Sequence, residues 1–327
     1  MKGWLRRAFV AALCALGVAG PAAAQTPGKP PLVAYLTPGP PQNAYIKSFV
    51  EAMRALGYVE GKNVRYDFRG AMGEELRLGP LAREIAAARP DVVVAGGVIP
   101  VRELRRASMS IPIVASSTAD PVLAGFAASL SRPGGNVTGI ANMADELLGK
   151  QIEILAELRP NLRRIAVLLN PDNPVSGALI ARAREIGASH GFSISAHEVS
   201  DKHGLAGTFG AIQRGRPDGL VVATDAMLYG LRQEIVAEVG RLRLAAVYPI
   251  GDEWVSAGGL ASYGPSIHEI YRRAAYYVDR ILKGANPSEL PMEQPTRFEL
   301  ALNLKTARAI SLAISRSILL RADRVIE

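Results

Sequence analysis

Two α/β lobes with mostly parallel sheets, joined by more than one crossing, are the fold class this sequence predicts, and three observations predict it. Short β-branched runs alternate with longer amphipathic segments from residue 32 onward. The alternation breaks once, at the turn cluster Arg132-Pro133-Gly134-Gly135-Asn136, and then restarts. The tail after the second round is too long to be a simple end, as expected of a second half that must return to the first. Regular strand–helix alternation implies βαβ units, with helices covering both faces of a parallel sheet.

The elements follow in order. Residues 32–36 read as a buried strand and 42–56 as a helix, with Ile46, Phe49, Val50, Met53 and Leu56 at helical spacing before Gly57 ends it. Strands at 63–68, 91–95 and 111–115 are separated by helices at 75–88, stopped before Pro90, and at 100–108. Beyond the turn cluster come a short strand at 137–140 and a helix at 145–158. The second round has strands at 165–169, 193–199, 219–223 and 245–247 with helices between them. The clearest of these helices carries Leu228, Leu231, Ile235, Val239 and Leu242 on one stripe. In the tail, Gly258-Gly259 leads into a strand at 260–263, a helix at 267–283 and a strand at 298–302. The expected division is residues 30–138 plus 258–290 for one lobe and 139–257 plus 291–327 for the other.

The first residues predict export. Lys2, Arg6 and Arg7 precede an apolar run at 8–19, then Gly20, Pro21 and the small residues Ala22, Ala23 and Ala24. That order is a secretory signal peptide, residues 1–24, cleaved before Gln25. The competing reading, a retained anchor, needs about 20 apolar residues. Arg6-Arg7 is compatible with twin-arginine as well as general export. Cys14, the single cysteine, lies within the segment to be removed and follows Ala11-Ala12-Leu13, a poor lipobox. The mature chain therefore has no thiol for disulfides, nucleophilic catalysis or metal binding. The formal net charge of +8 includes the three signal-peptide cations, and the other basic residues are scattered on helical faces. With aromatic content at 6% and no basic arm, nucleic acid is not an expected partner.

In open α/β sheets, ligands lie beyond the carboxyl ends of the strands. The residues that follow the expected strands are Thr37, Gly96-Gly97, Ser116, Ser117 and Asp120 in the first round, and Asn142 after the strand at 137–140. In the second round they are Asn170 and Asn173, Thr224 and Asp225, and Asp252. These twelve are the candidate ligand-binding residues. Hydroxyls and amides at Gly96, Gly97, Ser116 and Ser117 suit an anionic group, and Asp225 or Asp120 suits a cationic one. Each also has a plain alternative. Asp120 and Asn173 precede prolines, as an N-cap before a first-turn proline does, and Asp225 precedes a strong helix. His190, His197, His203 and His268 match no metal spacing, and no catalytic motif or phosphate loop occurs. No catalytic residue, metal or cofactor is expected.

The chain resembles the ABC-transporter substrate-binding proteins of the tryptophan/tyrosine-binding type. The resemblance runs from about Pro31 to Glu327 and rests on segments that are weak singly and specific in this order. They include Gly57-Tyr58-Val59-Glu60-Gly61-Lys62-Asn63-Val64, Arg132-Pro133-Gly134-Gly135-Asn136-Val137-Thr138-Gly139, Asn170-Pro171-Asp172-Asn173-Pro174, Ala257-Gly258-Gly259-Leu260 and Gln294-Pro295-Thr296-Arg297-Phe298-Glu299. It implies a type I periplasmic-binding-protein fold: two Rossmann-like lobes, a hinge of three crossings, and capture by lobe closure. It departs from relatives at Val94-Ala95-Gly96-Gly97, where they often have Ala-Thr-Gly-Gly, and at Ala223-Thr224-Asp225, where they often have Gly-Ala-Asp. The function so implied is passive capture of an amino acid or similar zwitterion in the periplasm. Delivery is to an inner-membrane ABC permease with a separate ATPase, by a protein that is itself a monomer. The rival readings are an exported α/β enzyme with an unrecognised site and a ligand-presenting partner of a membrane sensor.

Overall fold

A computed structural model describes residues 29–327, so the expected signal peptide lies outside the described residues. The first sheet contains β1 (Leu32–Thr37), β2 (Arg65–Gly70), β3 (Val92–Ala95), β4 (Ile113–Thr118) and β5 (Val137–Ala141), all parallel, in the order β2-β1-β3-β4-β5. The second contains β6 (Arg164–Leu169), β7 (Ser193–Glu198), β8 (Gly219–Val222), β9 (Ala245–Tyr248), β10 (Ala261–Pro265), β11 (Phe298–Asn303) and β12 (Arg324–Ile326). Its order is β12-β11-β10-β9-β8-β6-β7, and only β10 and β11 run antiparallel. The run β7-β6-β8-β9-β10 repeats the order of the first sheet. One layout is therefore used twice, although the sequence shows no obvious repeat.

Burial explains the strand compositions. Every residue of Val92–Ala95 and of Gly219–Val222 is buried, as expected of central parallel strands covered on both faces. The edge strand Ser193–Glu198 alternates exposed and half-buried positions over its first four residues. The helix Ala44–Ala55 is started by Asn43, whose side chain accepts from the amides of Tyr45 and Ile46 at 3.0 Å. The stripe expected on one helix around Leu228 and Val239 is buried but divided between two helices, Ala226–Gly230 and Arg232–Arg241, with Leu231 at the break. The helices Leu304–Ala309 and Arg316–Arg321 and strand β12 complete the tail beyond the last strand read from sequence.

Two expected boundaries are corrected, the first because β5 keeps residues 139–141 in the first sheet, past the expected break at 138. Residues 258–290 are expected in the first lobe, but β10 pairs with β9 and β11 in the second sheet. Gly258-Gly259 is a tight turn within that lobe, and the chain crosses back at Pro265 and Ser266. A Cβ on Gly259 would stand 2.6 Å from the Tyr248 ring and 2.8 Å from the Trp254 carbonyl, so glycine is required where the turn packs under these side chains. Beyond the crossing, the helix Ile267–Leu282 buries Ile267, Ile270, Tyr271, Ala274, Val278 and Ile281 in the first-lobe core, together with Phe49 and Val94. The other crossings follow β5 and precede β11. Between them, Ala141 N donates to Glu293 O and Glu293 N to Gly139 O, which ties two of the three connections together.

Candidate functional site

The repeated strand order creates two switch points, between β1 and β3 and between β6 and β8, and their carboxyl ends face each other. A cavity of about 160 Å³ lies there. The first lobe contributes Thr37 from the end of β1, Gly96 and Gly97 after β3, Ser117 in β4, and Asn142 after β5. The second contributes Asn173 after β6 and Thr224 and Asp225 after β8. The lobes touch around it. Asn170 Nδ2 of the second lobe lies 3.4 Å from both carboxylate oxygens of Glu75 of the first, and Arg102 Nη1 donates to Asp172 O at 3.1 Å. Gly97 has φ of +106°, and a Cβ there would stand 2.8 Å from the Cβ of Ala226 across the cleft. Its glycine serves both the backbone turn and the close approach of the lobes.

Four of the twelve candidates stand off this wall. Ser116 is buried within the first lobe and donates to Ala95 O at 3.1 Å. Asp120 is exposed and caps the next turn by accepting from Val122 N and Leu123 N. Asp252 pairs with Arg324 at the far edge of the second sheet. Asn170 sits behind Asp225, bridging it to Glu75. Gly96 does line the cavity, but its amide donates to Leu36 O at 3.0 Å, so the amide expected to hold an anion is occupied by the ladder. The N-terminal turn of the helix Val98–Ala107 also reaches the wall, with Gly97 as an N-cap that supplies no side-chain bond.

Asp225 does cap its helix, and it does more. Oδ1 accepts from Met227 N at 2.8 Å and Leu228 N at 3.0 Å, while Oδ2 accepts from Asn173 Nδ2 at 2.9 Å. Burial pushes its carboxyl up, and these hydrogen bonds pull it back in part. Glu253 is different. Burial also pushes its carboxyl up, its own backbone amide, His268 and Arg232 act against that, and neither oxygen accepts a side-chain hydrogen bond among the described residues.

Sequence reasoning missed the aromatic and charged wall formed by Tyr45, Tyr229, Tyr271, Arg232 and Glu253, all on helices. Tyr45 bridges the lobes: its ring centroid lies 5.4 Å from Tyr271 in a stacked pair and 5.3 Å from Tyr229 of the second lobe. Tyr271 in turn shares a buried 2.7 Å hydrogen bond with Tyr35. On the sequence these tyrosines look like core positions of amphipathic helices, and only Tyr229, one turn beyond Asp225, carried a positional signal.

Two lobes with one repeated topology, three connections, and a cavity of mixed polar and aromatic lining where their strand ends meet form the architecture of a two-lobed binding protein. The family model described as ABC transporter substrate binding protein matches residues 33–326. The chain belongs to that family. The match takes in both lobes and every residue of the cavity wall. Among curated relatives, this substrate-binding protein is 23% identical over 266 residues to the tyrosine-binding protein of Clostridioides difficile, covering 81% of this chain and 76% of the relative. Among solved structures it is similar to a conserved domain protein of Vibrio cholerae, at 25% identity and a TM-score of 0.84, covering 91% of this chain and all of that one. It is also similar to the ABC domain in complex with L-Trp from Streptococcus pneumoniae, at 22% identity and a TM-score of 0.83 with the same coverage. No described helix of this substrate-binding protein is long and apolar enough to cross a membrane.

Proposed function

We propose that this substrate-binding protein captures an amino acid or similar zwitterion between its lobes in the periplasm, leaves it chemically unchanged, and delivers it to an inner-membrane permease powered by a separate ATPase. The observation that carries this reading is the makeup of the interlobe cavity. Carboxylates, the Arg232 guanidinium and three tyrosine rings share one small enclosure. The Tyr45 and Tyr229 hydroxyls, Asn142 Oδ1 and Thr224 Oγ1 are buried there without a hydrogen-bond partner among the described residues. An unsatisfied buried polar atom costs about 1–3 kcal/mol, so a polar occupant offsets what an apolar one does not.

At about 160 Å³ the cavity is smaller than the roughly 300–1,000 Å³ of drug-sized pockets. That favours a single small metabolite over a peptide or oligosaccharide. The tyrosine-binding relative and the L-Trp complex support an amino acid with rings in its surroundings. Thr37, Ser117 and the helix start at Gly97 suit the anionic end, because a helix N-terminus and small hydroxyls favour negative charge.

The test is mass spectrometry of the small molecules released when purified protein is denatured, followed by calorimetric titration of the molecule found. An amino acid or similar zwitterion that binds with one-to-one stoichiometry is the expected result. Recovery of an uncharged sugar that binds in titration overturns the proposal.

A further inference from the structure

We infer that the Glu253 carboxylate, rather than Asp225, receives the ligand's cationic nitrogen, with the Tyr45 ring of the opposite lobe completing the subsite. The inference rests on the zwitterion reading above and deepens it by choosing between two acids of the same wall. A carboxylate has about four acceptor positions. Those of Asp225 are already taken by two helix amides and the Asn173 side chain, with Asn170 3.4–3.5 Å away. Its negative charge is thereby used to start the helix Ala226–Gly230 and to join two loops of the second lobe.

Glu253 lines the same cavity, yet among the described residues neither of its buried oxygens accepts a side-chain hydrogen bond, its own backbone amide being the one group that bonds it. The backbone at Gly251 makes room for it. A Cβ there would collide with Glu253 Oε2, and Gly251 has φ of +92°. The cationic groups that face Glu253 are His268 of the first lobe, whose Nε2 stands 3.5 Å from Oε1, and Arg232 of its own lobe. His268 bonds Ser48 Oγ through Nδ1 at 2.7 Å, which leaves Nε2 turned to Glu253, while Arg232 lies over the Tyr229 ring at 4.7 Å with Nη1 donating to Tyr229 O.

Tyr45 and Tyr229 connect this corner to the rest of the cavity. The Tyr45 ring lies 5.3 Å from Tyr229 and 5.6 Å from His268. An ammonium placed against Glu253 thus meets a carboxylate from the second lobe and aromatic faces from both lobes, and aromatic faces attract cations. Contacts to both lobes are what a ligand needs in order to favour closure.

The test begins with a thermal-shift screen of the twenty L-amino acids on the full exported chain. The best binder is then taken with its des-amino acid and its decarboxylated amine into calorimetric titrations of wild type, Glu253→Gln and Asp225→Asn. Glu253→Gln should bind both amine-bearing probes about 30-fold or more weakly. It should bind the des-amino acid as wild type does. Without ligand its melting temperature should stay level or rise, because a buried carboxylate whose burial outweighs its cationic neighbours has been neutralised. Wild-type affinity for the amine probes in Glu253→Gln overturns the inference while leaving the zwitterion reading intact. A loss confined to Asp225→Asn transfers the contact to Asp225 and overturns it equally. If no amino acid shifts the melting temperature of wild type, the amino-acid form of the reading falls and this inference falls with it.

Discussion

Both carboxylate oxygens of Glu75, in the first lobe, lie 3.4 Å from the side-chain amide of Asn170, in the second. Asn170 in turn approaches Asp225, so one amide stands between two acids across the cleft. Burial pushes the Glu75 carboxyl up to about 8, the Asp225 charge adds to this, Asn170 acts against it, Asp172 adds further, and Arg102 opposes. A carboxyl raised in the packed state contributes its stability at pH below the ordinary carboxyl range and loses it as pH climbs through the raised value. Because the burial involves both lobes, their contact inherits that dependence. Ligand affinity of wild type should therefore fall from about pH 4.5 to about pH 8 and level off above that. Glu75→Gln, which cannot ionise, should show a flatter profile with the same ligand. Parallel profiles in calorimetry would remove Glu75 from the closure equilibrium.

Asp225 is a structural acid whatever else it contacts. Asp225→Ala removes an N-cap and leaves the Asn173 amide without its acceptor. The expected loss is about 1–3 kcal/mol in denaturant unfolding. Asp225→Asn preserves the cap and should lose less. Equal stability of all three proteins would contradict the capping geometry.

Gly97 and Ala226 set how closely the lobes approach. Gly97→Ala introduces both a Cβ clash with Ala226 and a strained φ, the latter worth about 1–3 kcal/mol. Ligand affinity should drop about tenfold or more, with a lower melting temperature in the apo protein. Adding Ala226→Gly relieves the clash alone, so affinity should recover in part while the melting temperature does not. Full recovery of both, or of neither, would show that one of the two effects is absent.

Closure itself is open to solution scattering. If the connections after β5, at Pro265–Ser266 and before β11 act as the hinge, saturating ligand should reduce the radius of gyration. The Arg273–Glu293 fork, with bonds of 2.5 and 2.6 Å, ties the third connection to the helix Ile267–Leu282 and should persist in both states. An unchanged radius at saturation would argue for binding without lobe movement.

The sequence alone determined the order of strands and helices as far as β11, apart from the split at Leu231 and the short helix at Glu253–Ser256, because periodicity, capping residues and turn clusters are local properties of the chain. It also placed Thr37, Gly97, Ser117, Asn173, Thr224 and Asp225 at strand ends, and the cavity is lined by all six. Tertiary structure decided the remainder. Ser116 and Ser117 are neighbours in β4, where successive side chains point to opposite faces, and only the seating of that strand shows that Ser117 meets the cavity while Ser116 turns inward. β10 joined the second lobe because its backbone found partners in β9 and β11, pairings between residues distant in sequence. Tyr45, Tyr271 and Glu253 have the spacing of ordinary helix positions. They become one cavity wall only because the two lobes bring a face of each helix to the same cleft.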